Sequence, residues 1–215
     1  MSTTRSFAAV LWDFGGVILS SPFDAFARYE RELGLPEGFI RTVNATNPDD
    51  NAWARLERSE VDHDGFATLF EVEARALGGE LSGRRVLELL AGEIRPAMVA
   101  ALDAVKGAGY RTACLTNNVA NGEEGPSERR AAVAAVMGRF DVVVESSKVG
   151  CRKPEPRFYE IACEQLGVTP SECVFLDDLG INLKPAKAMG MATIKVVHPD
   201  TALAELSATL GLPFT

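Results

Sequence analysis

Ala8-Ala9-Val10-Leu11-Trp12-Asp13-Phe14-Gly15-Gly16-Val17 is an apolar run that ends in one carboxylate, with two glycines close behind it. A short apolar run bounded by a turn fits a strand buried on both faces. Asp13 then stands at the carboxyl end of that strand, the edge at which open α/β sheets bind ligands. Gly15 and Gly16 allow a sharp turn and a close approach of backbone to ligand. Taken alone, the stretch reads as a strand and a plain turn; polar groups further along the chain give Asp13 company.

Downstream, Ser21-Pro22 predicts a helix start, with Phe23, Phe26, Tyr29 and Leu33 at helical spacing and Gly34 as the stop. Further helical patterns cover about 36–43, 53–58, 64–77 and 82–92, around a polar loop at 44–52. No strand pattern stands out between Leu19 and Arg95, so this part is a helical insert. From Pro96 onward helices and strands alternate. Strands are expected at 110–116, 141–145, 173–177 and 192–197, and helices at 96–107, up to Met137, at 155–166, 179–189 and near 201–210. Residues 119–130 form a Gly- and Glu-rich loop, expected to be a surface loop. Alternation of this kind implies a parallel sheet with helices on both faces.

Composition narrows the function. The 215 residues are 47% hydrophobic and 24% charged, ordinary for a globular chain. A net charge of −8 without a Lys/Arg-rich block disfavours nucleic acid and anionic membrane surfaces as partners. An anionic substrate therefore needs a local positive site. Cys114, Cys151, Cys163 and Cys173 form no C-x-x-C pair and read as reduced thiols of a cytoplasmic protein. The start, Met1 to Phe7, has no secretory pattern, and no apolar stretch is long enough to span a bilayer. Oligomeric state is not legible.

Four strand ends carry polar groups: Asp13; Thr116-Asn117-Asn118; Lys148 and then Gly150-Cys151-Arg152-Lys153-Pro154; and Asp177-Asp178 with Asn182 one helical turn on. In a parallel sheet these converge on one edge. Singly, each has a plain structural role as turn, surface lysine or helix cap. Together they suit phosphoryl transfer through an aspartyl phosphate. Asp13 is the candidate nucleophile. A hard divalent cation takes carboxylate oxygens, which makes Asp13 and Asp178 its natural ligands, with the Gly15 carbonyl as a third. Thr116 and the Asn117 N–H can hold phosphoryl oxygens. Lys153 can neutralise the transferring charge and hold Asp13, with Asp177 and Asn182 supporting behind it.

These motifs resemble those of the haloacid dehalogenase-like hydrolase superfamily. They are Asp13-Phe14-Gly15-Gly16-Val17, Leu115-Thr116-Asn117, Lys153-Pro154 and Phe175-Leu176-Asp177-Asp178-Leu179-Gly180-Ile181-Asn182, in the superfamily's order and over nearly the whole chain. The run Leu176 to Ala186 and the segment Ala54-Arg55-Leu56-Glu57-Arg58-Ser59-Glu60 are similar to the branch that holds the N-terminal phosphatase domain of soluble epoxide hydrolase and a related domain of an acyl-CoA dehydrogenase family. The resemblance implies a Rossmann-like α/β core, residues 1–17 and 96–215, with a five-stranded parallel sheet and strand one central. It implies a C1-type helical cap over 18–95, Mg²⁺ dependence and a small phosphorylated substrate.

One position departs from the family pattern. Phosphatases of the superfamily carry a second aspartate two residues after the nucleophile, as general acid and base; here it is Gly15. Losing such a group costs about 10²–10⁴-fold in rate. Asp62, His63 or a water can substitute, the substrate can carry a good leaving group, or the chain can be a weak or inactive phospholigand- or partner-binding domain. The 2-haloacid dehalogenases need no metal and lack the paired carboxylates, so Asp177-Asp178 speaks against them. Phosphonoacetaldehyde hydrolysis needs a cap lysine, and residues 18–95 contain none.

Overall fold

Strand β1 (Ala9–Trp12) is fully buried, and its side chains divide by parity, as a two-residue period requires. Val10 and Trp12 enter one hydrophobic cluster, Ala9 and Leu11 another. Such a strand has to be sandwiched, and the sheet is built around it. The structure is a computed structural model and describes residues 7–90, 92–118 and 127–214.

In chain order, β1 is followed by a wide turn (Phe14–Ile18) and five helices: α1 (Phe23–Glu32), α2 (Phe39–Ala45), α3 (Ala52–Glu57), α4 (His63–Ala76) and α5 (Gly83–Glu88). Then come α6 (Pro96–Gly107), β2 (Arg111–Thr116), α7 (Ser127–Met137), β3 (Val142–Glu145), the single turn α8 (Ser146–Val149) and α9 (Pro156–Leu166). The chain closes with β4 (Cys173–Asp177), α10 (Gly180–Ala188), β5 (Ala192–Lys195) and α11 (Pro199–Leu210). The strands form one sheet in the order β3-β2-β1-β4-β5, all pairs parallel. The central place of β1 and the Rossmann-like α/β fold are as expected. Trp12 is level with Leu176 across the β1–β4 pair, so the residues after them, Asp13 and Asp177, leave the sheet side by side.

One cluster packs α6 and α11 under the sheet through Met98, Leu102, Val105, Ala202 and Leu206. The opposite face is filled from α9 and α10 by Phe158, Tyr159, Ala162 and Ala186. Helices α1–α5 have a third cluster of their own, centred on Trp53, Phe66 and Phe70, whose rings meet at 4.8 and 5.1 Å. The insert therefore brings its own core, and truncating one of these rings to alanine costs about 3–5 kcal/mol. Its two ends run side by side: Leu19 bridges Ile94, Ser20 N–H donates to Glu93 O at 2.8 Å and Arg95 N–H to Ile18 O at 2.9 Å.

Most boundaries moved by a residue or two; the helix expected at 36–43 starts three residues later, at Phe39, and the one expected at 82–92 ends four residues earlier, at Glu88. Pro22 precedes the first helical residue, Phe23, where Ser21 was the expected cap; Ser21 Oγ accepts from Phe23 N–H only at 3.4 Å. Helix α7 begins at Ser127, inside the stretch read as loop, with Glu128 in its first turn, where a negative charge suits a helix N-terminus. The rest of that loop, 119–126, lies outside the described residues. All four cysteines are buried and free. Among the described residues no helix is long and apolar enough to cross a membrane.

Candidate active site

The edge formed by the carboxyl ends of the strands brings Asp13, Lys153 and Asp177 into contact. Lys153 Nζ lies 2.7 Å from Asp13 Oδ1 and 2.8 Å from Asp177 Oδ2, and the lysine is 1% exposed. Asp177 is fully engaged: Leu179 N–H donates to Oδ1 at 2.8 Å, and Asn182 Nδ2 reaches both oxygens at 3.1 Å. Asn182 is held in turn, since its carbonyl accepts from Tyr159 OH at 2.7 Å. Asp177 thus anchors the ammonium. A buried cation survives only when paired and hydrogen-bonded, and this one is.

Asp13 differs. Its Oδ1 accepts from Lys153 and from Phe14 N–H at 2.6 Å, while Oδ2 has no hydrogen-bond partner among the described residues. One oxygen is fixed and the other is available. Asp178, the neighbour of the anchor, is part-exposed and offers an oxygen within 4.8 Å of those of Asp13 and Asp177. The charges do not balance. Three carboxylates face one ammonium, which leaves two negative charges, partly offset at Asp178 by Arg95. Burial pushes the Asp13 carboxyl well above its ordinary range; Lys153 pulls it back, and Asp177 and Asp178 push it up again. Burial and the Asp177 charge push Asp178 up to about 6. Burial alone would lower Lys153, but the two ion pairs outweigh it and hold the ammonium above its ordinary value.

This donor set fits a hard divalent cation. Such an ion takes one or two carboxylates plus water, and Asp13 with Asp178 can provide them. Asp177 is in the same cluster, yet its oxygens are already taken.

The two glycines separate in role. Gly16 has φ +74°, and a Cβ there would stand 2.2 Å from Asp178 Oδ2, so only glycine lets Asp178 come against this backbone. The neighbouring Gly16 carbonyl accepts from Arg95 NH1 at 2.7 Å. Gly15 has φ −69° and ψ 134°, is exposed, and has no atom within 4 Å of a built Cβ. The sharp turn therefore depends on Gly16; any residue fits the Gly15 backbone.

Thr116 is buried at the end of β2, and its hydroxyl has no hydrogen-bond partner among the described residues. The Asn117 side chain clasps Lys153 from both sides: Lys153 N–H donates to Oδ1 at 2.8 Å and Nδ2 donates to Lys153 O at 2.9 Å. Asn118 ties β3 instead, through Ser146, Ser147 and Glu145. Lys148 is exposed and pairs with Glu145. Asp62 spends its carboxylate capping α4, accepting Gly65 N–H at 2.8 Å, and His63 opens the same helix with Nε2 buried and unpartnered. No hydrogen bond or ion pair among the described residues joins Asp62 or His63 to Asp13, Lys153, Asp177 or Asp178.

Sequence reasoning missed two contributors. Glu57, the last residue of α3, reaches Arg152 Nε at 2.6 Å and Asn117 Nδ2 at 3.3 Å. The Arg152 contact is off the N–H direction, so it is an ion pair rather than an aligned hydrogen bond. Arg95 is the other. Glu57 and its partner Arg152 were visible as charged residues, Glu57 in a charged run and Arg152 directly before Lys153, but pairing between positions 57 and 152 has no local pattern.

Comparison with known proteins agrees with this geometry. A family model for haloacid dehalogenase-like hydrolase matches residues 7–190. Acyl-CoA dehydrogenase family member 10 of Mus musculus is 35% identical over 222 residues, covering 97% of this chain and 20% of that protein. Bifunctional epoxide hydrolase 2 of Sus scrofa is 33% identical over 216 residues, covering 95% of this chain and 39% of that protein. The chain thus spans well under half the length of these relatives. Two solved structures share the fold. A dehalogenase has a TM-score of 0.65 at 21% identity, over 98% of this chain and 100% of its own. A family enzyme of Bacteroides thetaiotaomicron, in complex with magnesium and inorganic phosphate, has a TM-score of 0.56 at 19% identity, over 88% and 93%.

Proposed function

The chain belongs to the haloacid dehalogenase-like hydrolases, and from that premise we propose that it is a Mg²⁺-dependent phosphomonoester phosphatase with Asp13 as nucleophile. The observation that carries this reading is the carboxylate excess. Asp178 is placed beside Asp13 with no ion pair among the described residues and only the more distant fields of Lys153 and Arg95 to offset it, whereas Asp177 alone suffices to anchor Lys153. Metal-independent dehalogenation has no use for that second carboxylate.

Asp13 Oδ2 attacks phosphorus, the bond to the leaving oxygen breaks, and that oxygen departs with the electron pair. Water then attacks phosphorus, the acyl phosphate bond breaks, and the Asp13 carboxylate returns. Lys153 and Phe14 N–H hold Oδ1 throughout, so Asp13 keeps its aim. Thr116 and the Asn117 N–H receive the phosphoryl oxygens, and Lys153 balances their charge. Asp13 and Asp178, with the Gly15 carbonyl, would hold a divalent cation, which when bound would neutralise charge between nucleophile and phosphate and polarise a phosphoryl oxygen. The core comprises 1–17 and 96–215, and the insert, 18–95, is the cap that covers Asp13 and excludes water. With Gly15 in place of an acid, the substrates turned over best are those with good leaving groups. Reduced buried thiols suit a cytoplasmic setting.

A second reading is a weak or inactive phospholigand-binding domain, favoured by Gly15. Hydrolysis of p-nitrophenyl phosphate separates the two, because its leaving group needs no general acid. Turnover with Mg²⁺ that disappears with EDTA and in Asp13→Asn supports the phosphatase. Absence of turnover, with phosphate still bound, supports the second reading. Halide release from a 2-haloacid without metal would replace both.

A further inference from the structure

The contacts of the insert with the core are of two kinds. Some are open to solvent on at least one side, such as Ser59 Oγ to Ser147 O at 3.2 Å and Arg58 to the exposed Glu155 carboxylate at 3.8 Å. One is not. Glu57 and Arg152 keep 15% of their side-chain surfaces each, and Arg152 also donates through NH1 to Pro48 O of the insert at 3.2 Å. A shielded ion pair is a poor way to gain stability, because desolvation cancels much of the attraction. Its value lies in fixing one geometry.

What it fixes is the seat of Lys153. Asn117 Nδ2 points to Lys153 O at 2.9 Å and to Glu57 Oε2 at 3.3 Å, so Glu57 holds the amide that clasps the Lys153 backbone. Arg152, the other partner of Glu57, is the residue directly before Lys153. One carboxylate on the insert therefore grips both supports of the lysine that holds Asp13. We propose that Glu57 is a positioning residue that makes the seating of Lys153 depend on the insert covering the site. The proposal rests on the phosphatase reading for its kinetic consequence, and on geometry alone for its structural one.

The test uses the full chain with Glu57→Ala and the near-isosteric Glu57→Gln, which keeps an acceptor for Asn117 and loses the charge for Arg152. With p-nitrophenyl phosphate and saturating Mg²⁺, Glu57→Ala should lower kcat about tenfold or more while KM holds within about twofold, the size expected for one charge-assisted contact. Glu57→Gln should fall between. A role confined to holding the fold together would not split kcat from KM. Independently of turnover, amide hydrogen exchange of Lys153 should quicken in Glu57→Ala, since its N–H is bonded to the Asn117 clasp, while amides of β1 stay protected. Unchanged kcat, or unchanged Lys153 exchange, overturns the proposal. If the wild-type chain shows no turnover, the phosphatase reading fails by itself and the exchange measurement decides this one.

Discussion

The floor of the site and the seam above it are built from the same residue types and behave differently. On the floor, Lys153 and Asp177 are almost wholly buried, and every side-chain oxygen of Asp177 is engaged. At the seam, Glu57 and Arg152 are part-exposed and flanked by more open contacts. The floor depends on the sheet register, which places Asp13 beside Asp177, whereas the seam joins elements that each have their own core. The floor is therefore fixed by the sheet, whereas the seam is a contact between two separately packed clusters. Lys153 belongs to both, its ammonium to the floor and its backbone to the seam.

Removing the lysine should break the comparison most severely. Lys153→Met leaves two buried carboxylates without their cation and should cost about 3–5 kcal/mol in urea unfolding, with no detectable turnover. A loss no larger than that of an exposed lysine would mean that the floor is not a closed set. The rim offers the opposite experiment. Gly15→Asp fits the backbone and meets open space, and should raise turnover of alkyl phosphates by about 10²–10⁴-fold. Gly16→Ala, one residue on, should instead displace Asp178 and abolish the Mg²⁺ requirement along with activity.

Metal removal should follow pH with a definite sign. Asp178 sits at about 6 in the fold against an ordinary 3.8, so the fold holds its proton more tightly than the unfolded chain does. Its contribution to stability is complete below the lower value and is lost as pH rises through the upper one. In EDTA, the melting temperature should therefore carry a declining component across that window. Mg²⁺ at about a hundred times its Kd should restore about 2.7 kcal/mol near neutral pH and much less at about pH 5, where Asp178 holds its proton. An Mg²⁺ effect that is equal at both pH values would contradict the assignment of Asp178. The smallest effect belongs to the outer seam: Ser59→Ala should change stability by no more than about 0.5 kcal/mol and leave kcat alone.

The floor was legible in the sequence because strands write themselves locally. The continuous apolar run before Asp13 and the run Cys173 to Asp177 gave the strands, and polar residues at the strand ends gave the edge. Asp13, Thr116, Lys153, Asp177, Asp178 and Asn182 followed from position alone. What position could not supply is which oxygen is free: that Asp177 is saturated and Asp13 Oδ2 is not depends on Asn182, Leu179 and Lys153 meeting in space. The difference between Gly15 and Gly16 was equally hidden, since it arises from Asp178, far along the chain. Glu57 lies on a segment whose helical pattern says only which face is buried within the insert, and Arg152 lies in a connection with no periodic pattern.

Phosphorylation of Asp13 is the step on which the proposed chemistry rests. The most direct measurement is acid quenching during steady turnover of p-nitrophenyl phosphate with Mg²⁺, followed by peptide mass spectrometry. The expected result is one phosphoryl group on the peptide that contains Asp13, absent with EDTA and absent in Asp13→Asn. Phosphate release that continues in Asp13→Asn, or a phosphoryl group found on another residue, would contradict the account.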